Sequence, residues 1–310
     1  MIVYREISSV ERELGISAKT LYGLSNNLNA HYRKVKIPKK DGSFRTLSVP
    51  DEILKTVQRS IAEKLLAYEP ISQYARAYRT AYGIEKNAFP HVSKPKLLKL
   101  DINGFFDGIM YSSVKEKVFP SEKYSEPIRI LLSMLCYFND SLPQGAPSSP
   151  VITNIIMRDF DITVGEWCEK RDIAYTRYCD DMTFSGDFDE KAVIDFVSDK
   201  LYGMGLFLNR KKTCVVSGGR RQTVTGIVVN SKLNIASDYK RKIRSDVFYC
   251  RKFGVENHLE HIGCAADPKK YLAGLMGRIN HVLHICPDSS EFIDYKNTVS
   301  ELINEYNNKL

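Results

Sequence analysis

The chain has 310 residues, 43% of them hydrophobic and 26% charged, enough to bury a sizeable core and to divide into two or three subdomains. No apolar run approaches the ~20 residues of a membrane span, and the charged amino terminus "MIVYREISSVEREL" does not read as a secretory signal. Seven scattered cysteines without a Cys-x-x-Cys pair point to thiols in a reducing compartment, by default the cytoplasm, and a net charge of +8 turns attention to where the cations cluster.

In chain order, residues 8–30 read as two short helices, the first stopped by Gly15 and the second capped by Ser17. "VKIPKKDGSFRTLSVP" alternates on both sides of a Lys-Asp-Gly turn and predicts a β-hairpin ended by Pro50. Residues 51–67 follow as an amphipathic helix with Ile53, Leu54, Val57, Ile61 and Leu65 on one face. "PKLLKLDI" (95–102) is a short buried strand, then helical material runs to about Phe138 and the turn "LPQGAPSSP". Ser149 is the expected N-cap of a helix through "VITNIIMRDFDITVGEWCEK". "IAYTRY" and "MTFS" are two strands with Asp180 and Asp181 at their junction. A helix follows with Val193, Val197 and Leu201 inward and Gly205 just past its end, and "LFLN" and "TCVVS" return as strand. This β-α-β-β-α-β order is that of a split βαβ, ferredoxin-like sheet in an α+β protein. "QTVTGIVV" is a further strand after Gly218-Gly219, and from Ser237 onward the pattern is helical and basic.

Asp101 ends the first strand of that sheet, and Asp180 and Asp181 occupy the hairpin joining the second and third. A split βαβ sheet brings these ends together, with Asp101 within a few ångströms of Asp180. Clustered carboxylates are costly without a cation, and oxygen-only clusters suit Mg²⁺. Two such ions can activate an attacking hydroxyl and stabilise a leaving pyrophosphate oxygen. A lone Asp-Asp pair would equally suit a β-turn. From Leu208 to Arg278 fifteen Lys or Arg face five acids, and a second basic cluster spans His31 to Arg45. Two basic regions flanking an acidic centre fit a polyanion held around a metal site. The spacing of Lys240, Arg244 and Arg251, interleaved with Phe248 and Tyr249, suits grip on a duplex or an RNA hairpin. His258, His261, Cys264, His281, His284 and Cys286 could suggest zinc but fall equally well at helical spacing.

Five stretches, in order, resemble the boxes of reverse transcriptases: "IPKKDGSFRTLSVPDEILKTVQRSI", "LLKLDINGFF", "LPQGAPSSPVITN", "RYCDDMTFS" and "GLFLNRKKT". "NAFPH" and Val224-Thr225-Gly226 narrow the resemblance to the retron type. It implies a right-hand polymerase with an N-terminal helical extension at 1–30, fingers at 31–95, a catalytic palm at 96–235 and a short basic helical thumb at 236–310. It implies that Asp101 and Asp180 bind two Mg²⁺ ions, with Asp181 contributing less directly, and that Lys212 assists pyrophosphate departure. Lys39 and Arg45 would grip the triphosphate, Phe106 would act as steric gate against a 2′-hydroxyl while Phe105 is core, and Gln144 and Gly145 would pack against template and nascent pair. Asn87, His91, Val224, Thr225, Gly226, Lys240, Arg241, Arg244, Arg251 and Lys252 would serve nucleic-acid binding. The implied partners are deoxynucleoside triphosphates, a cognate structured non-coding RNA as template and primer, its RNA–DNA product and a separate effector protein in phage defence. Another reverse transcriptase type, or a catalytically idle RNA-binding protein, is the alternative.

Overall fold

Residues 3–38 and 42–308 are described in the computed structural model, so Lys39 and the expected Lys-Asp-Gly turn lie outside the described residues apart from Gly42. Two compact units form, Met1–Gly83 with Lys96–Val215 and Ile84–Pro95 with Val216–Leu310. Residues 84–95, expected with the fingers, therefore pack with the C-terminal stretch, and residues 31–83 pack in one unit with residues 96–215.

In the first unit the helices Ile7–Leu14 and Ala18–Asn26 form as expected. Gly15 closes the first at φ +71°, where a side chain would be strained, and the Ser17 hydroxyl accepts from Thr20 N at 3.2 Å. Strands β1 (Tyr32–Pro38) and β2 (Phe44–Pro50) pair antiparallel, with Tyr32 opposite Pro50. The next helix is shorter than expected, Glu52–Ser60, and widens into a π-turn over Ile61–Leu65. Leu54, Val57, Ile61 and Leu65 are buried, but Ile53 lies off the centre of that stripe and is 57% exposed.

A four-stranded sheet contains β3 (Lys96–Asp101), β4 (Ala174–Tyr178), β5 (Asp181–Ser185) and β6 (Cys214–Ser217), in spatial order β4-β5-β3-β6. This is the ferredoxin-like order, with the first and third strands of the motif side by side in the middle. "LFLN" contributes only an isolated bridge, Leu208 to Ile102, because the chain turns immediately after it at Asn209. The helix expected through residues 150–170 breaks at Met157 into Ser149–Ile156 and Arg158–Glu169. Ser149 does not cap it: it is the first helical residue, and its hydroxyl donates to the Pro143 carbonyl at 2.8 Å. Val164, Cys168, Val193, Val197 and Leu201 bring Arg158–Glu169 and the helix Glu190–Tyr202 into one core with Leu98, Leu100, Met182 and Phe184 of the sheet.

In the second unit "QTVTGIVV" is a hairpin rather than one strand. β7 (Thr223–Val224) and β8 (Ile227–Val228) are joined by Thr225 at φ +46° and Gly226 at φ +85°, the double positive φ of a tight hairpin turn. β9 (Asn234–Ile235) pairs with β8. Four helices follow, Ser237–Phe253, Val255–His261, Pro268–Ile285 and Ser290–Asn308. Their core is built from Ile243, Val247, Leu272, Leu275, Ile279, Val282, Phe292 and Val299. No helix of the described residues is long and apolar enough to cross a membrane.

Candidate active site

β3 ends on Asp101 and β5 begins on Asp181, and the antiparallel register sets these two residues opposite each other. Only Cys179 and Asp180 turn the chain from β4 into β5. Asp101 and Asp180 are expected within a few ångströms of each other; the backbone register sets Asp181 opposite Asp101, and the Asp180 carbonyl accepts from Ile102 N, the residue after Asp101, at 3.1 Å. All three acids line one cleft of about 810 Å³. Cys179 takes φ +61°, the left-handed region where hairpin turns favour glycine, and holding a cysteine there costs on the order of 1–3 kcal/mol.

Asp101 is buried and its position is over-determined: its carbonyl accepts from Asn209 N at 2.7 Å, and its Oδ2 accepts from Lys212 Nζ at 2.7 Å. The hydrogen bond to Asp101 raises the pKa of Lys212 against partial burial. Asp181 is pushed up to about 6, first by desolvation and then by the charges of Asp180 and Asp101. The Cys179 thiol accepts a hydrogen bond from the Tyr78 hydroxyl at 3.3 Å, and burial pushes its pKa up to about 11. It therefore stays a neutral thiol, and the donors left to a cation are carboxylate oxygens, which suit Mg²⁺. No three acid, imidazole or thiol side chains among the described residues already converge as a metal-holding group.

Arg45, Tyr78, Phe106 and Gln144 line this cleft and also a second one of about 390 Å³ beside it. Phe105 is core and Phe106, in edge contact with it, faces the clefts, as expected. Gly145 has a reason visible in its surroundings. A Cβ there would stand 2.6 Å from the Ser48 carbonyl oxygen and 3.1 Å from Val49 Cα, both backbone atoms of β2 that cannot swing aside. Gly145→Ala is therefore expected to displace β2 and with it Arg45, and, if Arg45 grips a triphosphate as the resemblance implies, to raise the nucleotide KM roughly ten-fold or more by steady-state incorporation assays.

Sequence reasoning missed Tyr78 and Arg177. Tyr78 is half exposed in both clefts at φ +59°. Arg177 is wholly buried three residues before Asp180, and an arginine at an inward position of a buried strand was the available signal.

The family description "Reverse transcriptase (RNA-dependent DNA polymerase)" matches residues 37–272. The retron Ec86 reverse transcriptase of Escherichia coli is 30% identical over 84% of this chain and 82% of its own length. The retron Ec83 enzyme of the same species is 33% identical over 73% of this chain and 78% of its own. This chain is a retron-type reverse transcriptase. It is an RNA-directed DNA polymerase, a nucleotidyltransferase. The retron Mx65 reverse transcriptase of Myxococcus xanthus is 29% identical over 84% of this chain and 66% of its own.

In this reverse transcriptase the two retron-type elements meet each other. Asn87 Nδ2 donates to Thr225 Oγ1 at 3.4 Å, and Ser93 N donates to the Val229 carbonyl at 2.9 Å. Asn87, His91 and Val224 are buried and offer no surface to a nucleic acid, so the expectation of direct contact is corrected for these three. They join the short helix Ile84–Ala88 to the β7–β8 hairpin. Thr225 and Gly226 form the hairpin's turn.

Of the expected cationic grip, two members are already paired with other side chains of the protein, Arg244 at the surface. Arg244 makes a two-pronged ion pair with Glu291 at 2.5 and 2.7 Å, and Lys240 Nζ donates to Asn234 Oδ1 at 2.6 Å. Arg241, Arg251 and Lys252 are exposed, with Lys252 Nζ 5.4 Å from the Phe248 ring centre. The six His and Cys residues of 258–286 do not gather. His258 Nε2 sits 3.0 Å from the Tyr271 hydroxyl, His284 Nε2 lies 3.2 Å from Glu85, and Cys286 Sγ lies 3.4 Å from Asn234 Oδ1.

Proposed function

We propose that this reverse transcriptase copies part of a cognate structured non-coding RNA into DNA, starting from the 2′-hydroxyl of a guanosine in that same RNA. The observation that carries the catalytic part is the three carboxylates Asp101, Asp180 and Asp181 lining the large cleft together with Arg45, Gln144 and Phe106. Asp101, Asp180 and Asp181 would hold two Mg²⁺ ions. Bound there, the ions supply Lewis-acid charge for the attacking and leaving oxygens. Arg45, with Lys39, binds the triphosphate, and Gln144 and Gly145 seat the template and the nascent pair. Lys212 holds a proton near the leaving pyrophosphate. Residues 31–83 serve as fingers, 96–215 as palm and 236–310 as thumb, with 84–95 and 216–235 in the thumb's compact unit, and the exposed Arg241, Arg251 and Lys252 grip the RNA and its RNA–DNA product. The family likeness supports a place in phage defence beside a separate effector protein.

Phe106 excludes ribonucleotides by leaving no room for a 2′-hydroxyl. Phe106→Ala is expected to raise the ribo-to-deoxy incorporation ratio roughly 10–100-fold in competition assays. The proposal itself is tested with purified enzyme, the RNA encoded beside its gene, Mg²⁺ and the four deoxynucleotides. DNA joined to the RNA, lost in Asp180→Asn or when the guanosine lacks its 2′-hydroxyl, supports it. Equal yields from the 2′-deoxy RNA sink the priming step, and no DNA from the wild type leaves an idle RNA-binding protein as the reading.

A further inference from the structure

Arg177 is among the largest fully buried side chains, and the chemistry above makes no use of it. Its Nε and Nη2 donate to the two carboxylate oxygens of Asp161 at 2.8 and 2.6 Å, and Nη2 also reaches Asn154 Oδ1 at 3.3 Å. Its Nη1 donates to the carbonyl of Cys179 at 2.9 Å. Four of the five guanidinium N–H donors are thus placed, one of them on the left-handed residue that turns the chain into Asp180.

The same residue aligns a second segment. Arg177 N donates to the Tyr74 carbonyl, and Arg76 N donates to the Arg177 carbonyl, each at 2.8 Å. Asn154, itself held by Arg177, donates to the Ala77 carbonyl at 2.9 Å. Tyr78 comes next in the chain and reaches back to the Cys179 thiol at 3.3 Å. The catalytic turn is therefore gripped at its carbonyl by the guanidinium and at its side chain by a segment that pairs with the Arg177 backbone and is linked to the guanidinium through Asn154. An ion pair serving stability alone could be exchanged for apolar side chains of similar volume. Such side chains could not donate to the Cys179 carbonyl.

We propose that Arg177, oriented by Asp161, is a positioning residue for nucleotidyl transfer, holding the Cys179 carbonyl and the Tyr74–Tyr78 segment so that Asp180 and Asp181 are presented beside Asp101. The inference rests on reading that acid cluster as the catalytic centre. Two variants test it. Arg177→Lys keeps a charge for Asp161 but cannot span the three acceptors with a planar fork. Tyr175 OH also donates to Asp161 at 2.9 Å, and the combination Asp161→Leu, Tyr175→Phe, Arg177→Met removes the ion pair and this hydroxyl and fills their volume with apolar groups.

In single-turnover extension of the cognate RNA with Mg²⁺, both variants are expected to be folded by circular dichroism. Each should add nucleotide at least about ten-fold more slowly at saturating substrate, with the KM for nucleotide held within about two-fold. The apolar variant should also melt at or above the wild-type temperature. A folded variant with wild-type turnover overturns the inference, as does loss of fold in both, which would reduce the pair to a core contact. Wild-type extension and its loss in Asp180→Asn are read alongside. An inactive wild type refutes the acid-cluster reading together with the inference, whereas active Arg177 variants beside an active wild type refute the inference alone.

Discussion

Asp101→Asn and Asp180→Asn are each expected to lower nucleotide incorporation by about 10³-fold or more at saturating RNA and nucleotide, while leaving RNA affinity within a few-fold of wild type. The exchange is isosteric, and the backbone of Asp101 is fixed independently of its charge by β3–β5 pairing and by Asn209. What is lost is negative charge at a point where the reaction demands a cation. The accompanying loss of the Lys212 ion pair costs less than about 1 kcal/mol, since the lysine side chain is 58% exposed. Filter binding of the RNA beside extension assays separates the two effects. A variant that loses RNA affinity in step with activity would place these acids in binding rather than chemistry.

The same cluster has a signature in stability. Desolvation and the charges of Asp180 and Asp101 make Asp181 hold its proton up to about pH 6 in the folded enzyme, above the ordinary aspartate value of 3.8. Between pH 4 and 6 the folded form thus binds more protons than the unfolded chain, so stability from this site falls as pH rises through that window. The penalty is fully present above about 6 and absent below about 4. Because Asp181 reaches solvent, its size is on the order of 1 kcal/mol or less after screening. Asp181→Asn should therefore raise the melting temperature of metal-free enzyme at pH 7.5 and leave it unchanged at pH 4. An equal shift at both values would remove the ionised Asp181 carboxylate, with its desolvation and like-charge neighbours, as the cause.

Much of this site could be read from the chain because its chemistry is local. The alternation around Asp180 and the strand ending at Asp101 imply their own neighbours once the βαββαβ order is recognised, and the sheet has that order. What escaped depends on distant partners. Nothing near Arg244 announces Glu291, forty-seven residues on, so an ion-paired side chain reads as an open cation. Asn87 and His91 look like surface polar residues until the β7–β8 hairpin covers them. That hairpin was itself hidden, because a β-branched Thr225 at positive φ runs against its own preference and reads as continuous strand. Likewise the register could not be taken from composition: a shift of one residue decides whether Asp180 or Asp181 faces Asp101.

The largest expected loss of stability comes from Asp161→Ala. Asp161 and Arg177 side chains are both 0% exposed and bonded at 2.6 Å, and Tyr175 OH donates to the same carboxylate at 2.9 Å. Truncating the acid leaves a buried guanidinium facing an empty site and strands the tyrosine hydroxyl, a class of change that costs roughly 3–5 kcal/mol. For a unit the size of the first one this lowers the melting temperature by roughly 6–20 °C. Arg158–Asp159 is the control on the same helix: its side chains are 39% and 65% exposed, and Asp159→Ala should cost within about 0.5 kcal/mol. Thermal denaturation of the two variants side by side decides the matter. Were Asp161→Ala to melt within 2 °C of Asp159→Ala (roughly 0.5–1 kcal/mol), the guanidinium would have to find water or another anion in the folded state, and the tight grip on Cys179 would be lost with it.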